Sequence, residues 1–371
     1  MLKFFFITSL VCFLFAGCKQ VSDSENISID VNQKGKMADI FCSYEYIPLE
    51  TSSKEDNIIA GINKIIMQDD RIYILDKERA SVLIFSHDGK YINKINKRGR
   101  GPQEYLEIKD FDVRNSIIYT LSRSNKAIYA YDIKGNFIQS YDLKDWYNNF
   151  HIVDDRTMFL YSERSNDQKY NFIVFDYISG EIKKEFDPFK ENCSYGFSLS
   201  PFNITEDGTI LTTQQFDNTV YSLTADSYIP QYVFDFNTKD RIPEDQRNLN
   251  YDELSKNLQD KNVVKRIDAI TQKDSMLYFV YSLYDPEYAM RSIIASVNLN
   301  TKEIKSVRIG DEFDPQYPFV TNAALSFANG EMICYRPAIR IVNIAKIHSF
   351  DISAYNITES SNPVILKYKL R

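Results

Sequence analysis

The chain has 371 residues, a net charge of −7 and a 14% aromatic share, with 26 Tyr and 25 Phe against 12 Gly. The acidic balance argues against a protein that holds nucleic acid by neutralising phosphates, and a 44% hydrophobic content argues against disorder. The length suits two average domains or one large all-β domain, and the aromatic bias favours pleated, half-buried strands.

In chain order, Lys3 precedes an almost wholly apolar run from Phe4 to Phe15. The run falls short of the roughly 20 residues that span a bilayer, so residues 1–17 read as a signal peptide. "LFAGC" resembles the bacterial lipobox, with Phe15 where Leu is usual. The resemblance implies cleavage before Cys18, lipid on Cys18 and a membrane as partner. An ordinary secretory signal cut near Ala16 is the alternative. Residues 18–39 are polar and read as a flexible tether, which leaves 40–371 as the folded domain. Cys42, Cys193 and Cys334 form neither a disulfide framework nor a metal-ligand spacing, and read as small buried hydrophobes.

The domain repeats. "RIYILDKERASVLIFSHDGKYINKI" from Arg71 aligns with "IIYTLSRSNKAIYAYDIKGNFIQSY" from Ile117 at a constant offset of 46 residues, matching Ile72 with Ile118, Phe85 with Tyr131 and Gly89 with Gly135. Further copies place Phe175 and Gly180 at nearly the same interval, then weaken around 210–236 and return from Ser275. Each copy holds short alternating segments joined by Asp-Gly, Lys-Gly or Ser-Gly turns, the pattern of antiparallel hairpins. Four short strands in each repeat of this length is the signature of a β-propeller blade, whereas a sandwich would lack the long repeat. Five whole copies and two fragments predict an all-β fold with six blades. "PFVTNAALSFANGEMICYRP" opens the sixth and "NPVILKYKL" supplies its third strand. "DIFCSYEYIPLE" then supplies its outer strand, closing the ring and removing an open edge.

"EYIPLET", "IYILD…VLIFSHDGKYINKI", "RGRGPQEYLEIKDFDV" and the ending "NPVILKYKL" resemble the six-bladed β-propeller lipoproteins of Gram-negative bacteria, and are similar to NHL-repeat propellers with their Gly-x-Gly-Pro turn. The resemblance covers about Ile40 to Leu370. It implies the fold and a place in the cell envelope, lipid-anchored at the outer membrane, and it implies little about activity.

"KRGRGPQEYLEI" lacks the third Gly and the following helix of a dinucleotide loop, so its expected role is the turn from blade one to blade two, with Gly supplying positive φ and Pro a fixed φ. Outer-to-inner connections share a face with the loops between second and third strands. Arg79, Arg98, Arg100, Arg123, Lys126, Arg164 and Arg291 therefore fall on one rim, where Arg forks suit carboxylate, phosphate or sulfate groups. The alternative is that they are solvated or paired with Glu78, Glu104 and Glu163. Two insertions emerge on that face: one with Tyr251, Leu254 and Leu258 at helical spacing, the other from Pro337 to Ser361 with Ile341, Ile344, Ala345 and Ile347. Long excursions serve function or cap the core.

Catalytic patterns are sparse. His87, His151 and His348 stand apart, with no H-x-x-x-H, G-x-S-x-G or Cys cluster, and His151 falls on an inner strand. No catalytic residue and no metal ligand is assigned. The sequence favours a binding or scaffold module for a glycan, peptide or protein over an enzyme. The alternative is a hydrolase or lyase that uses a divalent cation such as calcium, held by Asp76, Asp110, Asp112 and Asn203 at the channel mouth.

Overall fold

The computed structural model describes residues 24–52, 57–163, 169–189, 200–243, 246, 249–285, 287, 289–310 and 313–371. Cys18, Arg164 and Cys193 lie outside the described residues. The described chain opens with β1 (Glu25–Ile29), a short helix α1 (Met37–Ile40) and β2 (Phe41–Pro48). Blade one is β3 (Lys64–Gln68), β4 (Arg71–Asp76), β5 (Ser81–Ser86) and β6 (Tyr91–Ile95). Blade two is β7 (Asp110–Arg114), β8 (Ile117–Ser122), β9 (Ala127–Tyr131) and β10 (Phe137–Asp142). Blade three is β11 (Asn149–Ile152), β12 (Thr157–Tyr161), β13 (Tyr170–Asp176) and β14 (Glu181–Pro188). Blade four is β15 (Asn203–Ile204), β16 (Ile210–Thr213), β17 (Thr219–Leu223) and β18 (Tyr228–Phe236). After helix α2 (Tyr251–Leu258), blade five is β19 (Val264–Lys273), β20 (Met276–Asp285), β21 (Ala289–Asn298) and β22 (Ile304–Ile309). Blade six is β23 (Ser326–Ala328), β24 (Glu331–Arg336) and, beyond helix α3 (Ala338–His348), β25 (Val364–Leu370). Hydrogen-bonded order follows chain order within every blade, and β2 pairs antiparallel with β25 as the outer strand of blade six. The fold is a six-bladed β-propeller.

Both faces of most strands are buried, because each blade packs between two others. In β4, Ile72 and Ile74 meet blade six while Tyr73 and Leu75 meet blade two. That division explains why "IYIL" reads as one apolar run rather than as an alternation. Six apolar clusters fill the six blade interfaces. Gly89, Gly135 and Gly180 close the outer hairpins of the first three blades with φ of 85°, 82° and 72°, conformations that favour Gly. Cys334 is buried as expected, but Cys42 is exposed on β2.

The tether expected over 18–39 is corrected by β1. Glu25 to Ile29 pair in parallel with Tyr232 to Phe236 of β18, adding a fifth strand to blade four. Ile27 and Ile29 are buried in the cluster between blades four and five, each worth about 1.5–3 kcal/mol of apolar burial. The chain then crosses blade five, where the Gly35 N–H donates to the Ser306 carbonyl at 2.8 Å.

Both helical insertions form. The Asn250 side chain caps α2 by accepting from the Glu253 N–H, and Leu254 and Leu258 are buried against Phe216, Val263 and Tyr284. In α3, Ile341 and Ala345 are buried, whereas Ile347 points outward and is 75% exposed. The α2 segment joins an outer to an inner strand, and α3 joins a second to a third strand, so strand direction sets both on one face.

Candidate functional site

The inner strands of all six blades line a central channel of about 570 Å³. Each inner strand has one edge without a ladder partner, so its backbone groups need side-chain or solvent partners. The repeat supplies them. Lys64 and Asp110 hold equivalent positions one 46-residue repeat apart, and the Lys64 Nζ donates to Asp110 Oδ1 at 2.9 Å and to the Phe111 carbonyl at 2.7 Å. Asp110 Oδ2 in turn accepts from Asn149 Nδ2 at 3.1 Å and from the Phe150 N–H at 3.2 Å. Two residues along β7, Asp112 Oδ2 accepts from the Ile152 N–H at 2.8 Å and lies 2.9 Å from His151 Nδ1. Asn203 Oδ1 accepts from the Ile270 N–H at 3.2 Å, repeating the device between blades four and five. "DFDV" alternates because β7 turns both carboxylates toward the free edge of β11.

Asp110 is 2% exposed and Asp112 is 7% exposed. Burial pushes the Asp112 carboxyl up, but His151, Lys64 and the Ile152 N–H outweigh it and hold the group below the usual carboxylate range. The anionic carboxylate fixes the imidazole by its Nδ1 side. His151 Nε2 makes no hydrogen bond among the described residues, and the ring, which lines the channel, stands 6.2 Å from the Phe202 ring. Lys77 lines the mouth beside Asn63, with no ion-pair partner among the described residues. Desolvation there lowers its ammonium below the usual lysine range, with Asp110 opposing. The wall from blades four to six is mostly uncharged, with Phe202, Ile204, Thr271, Leu325 and Phe327.

Of the four residues expected to reach a metal, Asp110, Asp112 and Asn203 line the channel. Asp76 does not: it is buried at a loop base, accepting from the N–H groups of Ala60 and Arg79. The channel carboxylates are engaged with backbone, Lys64 and His151, and no group of three His, Cys, Asp or Glu side chains suited to a metal occurs among the described residues. These residues do not fit a calcium-type site.

The rim cations divide. Arg79, Arg98 and Arg100 are exposed, and Arg123 and Lys126 are half-buried. Their three connections are stitched together: Asn96 Nδ2 donates to the Arg79 carbonyl at 3.2 Å, Tyr105 Oη to the Ala80 carbonyl at 3.2 Å, and the Leu106 N–H to Asn125 Oδ1 at 3.2 Å. Lys126 Nζ sits 4.5 Å from the Trp146 ring centroid, a cation–π contact. Arg291 departs from the expectation. It is a buried residue of β21, 3.2 Å from Asp285 through Nε, because blade five has longer strands and its second-to-third loop starts later.

The glycine loop is also corrected. Neither Gly99 nor Gly101 has positive φ. The Glu104 carboxylate folds back over both, Oε2 accepting from the Gly101 N–H at 2.8 Å, and a Cβ on Gly99 would overlap that carboxylate. Close approach, not a left-handed backbone, is what requires Gly here. Sequence reasoning also passed over Lys64 and Lys77. The signal for Lys64 is its 46-residue offset from Asp110; Lys77 becomes visible only when its loop is seen to lean over the channel.

The chain belongs to the DUF4934 family, a domain of unknown function, whose profile matches residues 24–369. Among the curated proteins, none matches the chain. The fold is similar to the crystal structure of a Bacteroides fragilis protein classed as exported, with 16% identity, a TM-score of 0.78, and 93% of this chain and 99% of that chain covered. It is similar as well to a DUF4221 family member from Bacteroides vulgatus, with 11% identity, a TM-score of 0.56, and 89% of this chain and 97% of that chain covered.

Proposed function

We propose that this DUF4934 protein is a binding module of the bacterial envelope, lipid-anchored through Cys18, that takes the end of a glycan or peptide into its channel from the insertion-bearing face. The observation that carries the reading is the division of the channel wall. Charged and ring-nitrogen groups from blades one to three (Lys64, Lys77, Asp110, Asp112 and His151) face a wall from blades four to six that mixes apolar residues with neutral polar ones and carries one carboxylate, Glu206, the arrangement of a ligand pocket with few charged orienting groups. His151 Nε2 and Lys77 Nζ are among the channel groups left to meet a ligand. The "LFAGC" sequence supports the anchor, and the rim cations Arg79, Arg98 and Arg100 would meet whatever extends out of the channel.

A thermal-shift screen of glycans, peptides and divalent ions tests this on the chain from Lys19 onward. A glycan or peptide is expected to raise the melting temperature, and His151→Gln is expected to reduce that rise. Stabilisation by a divalent ion, with none by any glycan or peptide, counts against the reading.

The Asp112–His151 pair favours a second reading, a hydrolase or lyase without a bound metal. A carboxylate holding Nδ1 leaves Nε2 as the proton acceptor, which is how an imidazole serves as a general base. Turnover of a stabilising ligand, abolished in His151→Gln while binding persists, would decide for the enzyme.

A further inference from the structure

We propose that the N-terminal strand orients the protein on its membrane, with the hairpin-turn side toward the bilayer and the insertion-bearing face held away from it. This rests on the lipidation of Cys18. The argument begins with strand direction. β18 starts after the outer hairpin turn at Thr224 to Ser227 and ends where the chain departs for α2. Because β1 runs parallel to β18, its Ile29 end points to the insertion face and its Glu25 end to the turn side. An ion pair fixes the same end, since Glu25 meets Lys302, which lies in the outer hairpin turn of blade five.

The strand is anchored well. Asn237 accepts from the Val31 N–H through Oδ1 at 2.9 Å, and its own N–H donates to the Ile29 carbonyl at 3.0 Å. Gln33 Nε2 donates to the Ile304 carbonyl at 2.8 Å. With Ile27 and Ile29 buried, the docked strand begins at Glu25, seven residues after Cys18. Even fully extended, that length reaches no more than about 25 Å. Had the chain stayed free to Ile40, the reach would be about 80 Å and every orientation would be open. With the strand docked, the bilayer lies close to the turn side of blades four and five, and the channel mouth with α2 faces outward.

The test uses the full lipidated chain in vesicles whose headgroups carry a nitroxide quencher. A fluorophore is placed in a Cys42→Ser, Cys193→Ser background either at Ala225→Cys, in the exposed outer turn of blade four, or at Asn257→Cys, on the exposed side of α2. Quenching is expected to be several-fold stronger at the first position. Inserting a long Gly-Ser segment after Asp23 leaves the fold intact and should abolish the difference. Equal quenching at the two labels, or stronger quenching at Asn257→Cys, overturns the orientation while leaving the anchor standing. Vesicle attachment that Cys18→Ser does not release overturns the anchor, and this proposal with it.

Discussion

The two halves of the channel solve one problem with different chemistry. Every inner strand must satisfy an edge that no further strand covers. Blades one and two use acidic and basic side chains, Lys64, Asp110 and Asp112, while blade four uses the amide of Asn203 for the equivalent bond to blade five. An amide does this without the desolvation that a buried charge incurs. Since a neutral group suffices between blades four and five, edge satisfaction alone does not explain the charged groups between blades one, two and three. The charged half is also where His151 and Lys77 present nitrogens without a side-chain partner among the described residues, and these are the groups that the proposed binding role would use.

The largest expected effect comes from breaking the charged half at its centre. Asp112→Ala strands the His151 Nδ1–H and the Ile152 N–H in a buried place and should cost about 3 kcal/mol in urea unfolding. Asp112→Asn sharpens the point through pH. The Asp112 carboxyl is held below its usual range, so its contribution is full above about pH 4 and drains as pH falls through the depressed folded value. Asp268 of β19, bonded to Arg266 and Ser282, behaves oppositely: burial dominates and raises its carboxyl. Its contribution is full at low pH and is lost as pH rises through the raised value. The stability deficit of Asp112→Asn should therefore shrink on acidification while that of Asp268→Asn grows. Parallel pH profiles would remove the distinction.

A smaller loss is expected from Lys64→Met, about 1–2 kcal/mol, because Asp110 keeps Asn149 and the Phe150 N–H and the Phe111 carbonyl can turn to channel water. A loss equal to that of Asp112→Ala would mean that the two carboxylates are one network rather than two. Smaller again is Gly99→Ala. The obstructing group is the flexible end of Glu104, so the change should cost about 1 kcal/mol, the hydrogen bond to Gly101. If Gly99→Ala costs almost nothing further in a Glu104→Ala background, close approach is the cause.

How much of this was legible follows from which interactions are local. Strand alternation and the 46-residue repeat report backbone pairing, so six blades, the closing strand β2 and both insertions were readable. β1 carries the same signal, Ile27, Ile29 and Val31 alternating with polar residues, but five residues beside a polar stretch do not say which edge they join. Arg291 could not be separated from the rim loops, because strand length in blade five depends on pairing across β20 and β21. The chemistry of "GRGPQE" depends on where Glu104 turns, and spacing alone is silent on that.

The smallest effect tests whether the rim belongs with the charged half at all. Arg98 and Arg100 are exposed, and neither guanidinium makes an ion pair among the described residues. Replacing both with Ala should change stability by no more than about 0.5 kcal/mol. For a ligand confined to the channel, affinity should also hold, since screened charges outside it contribute little. For a ligand whose acidic portion extends over the rim, affinity should fall and the loss should fade with added salt, while His151→Gln weakens binding at every salt concentration. Calorimetric titrations of both variants at low and high salt separate the cases. A salt-independent loss in the arginine variant would place the rim inside the binding site rather than beside it.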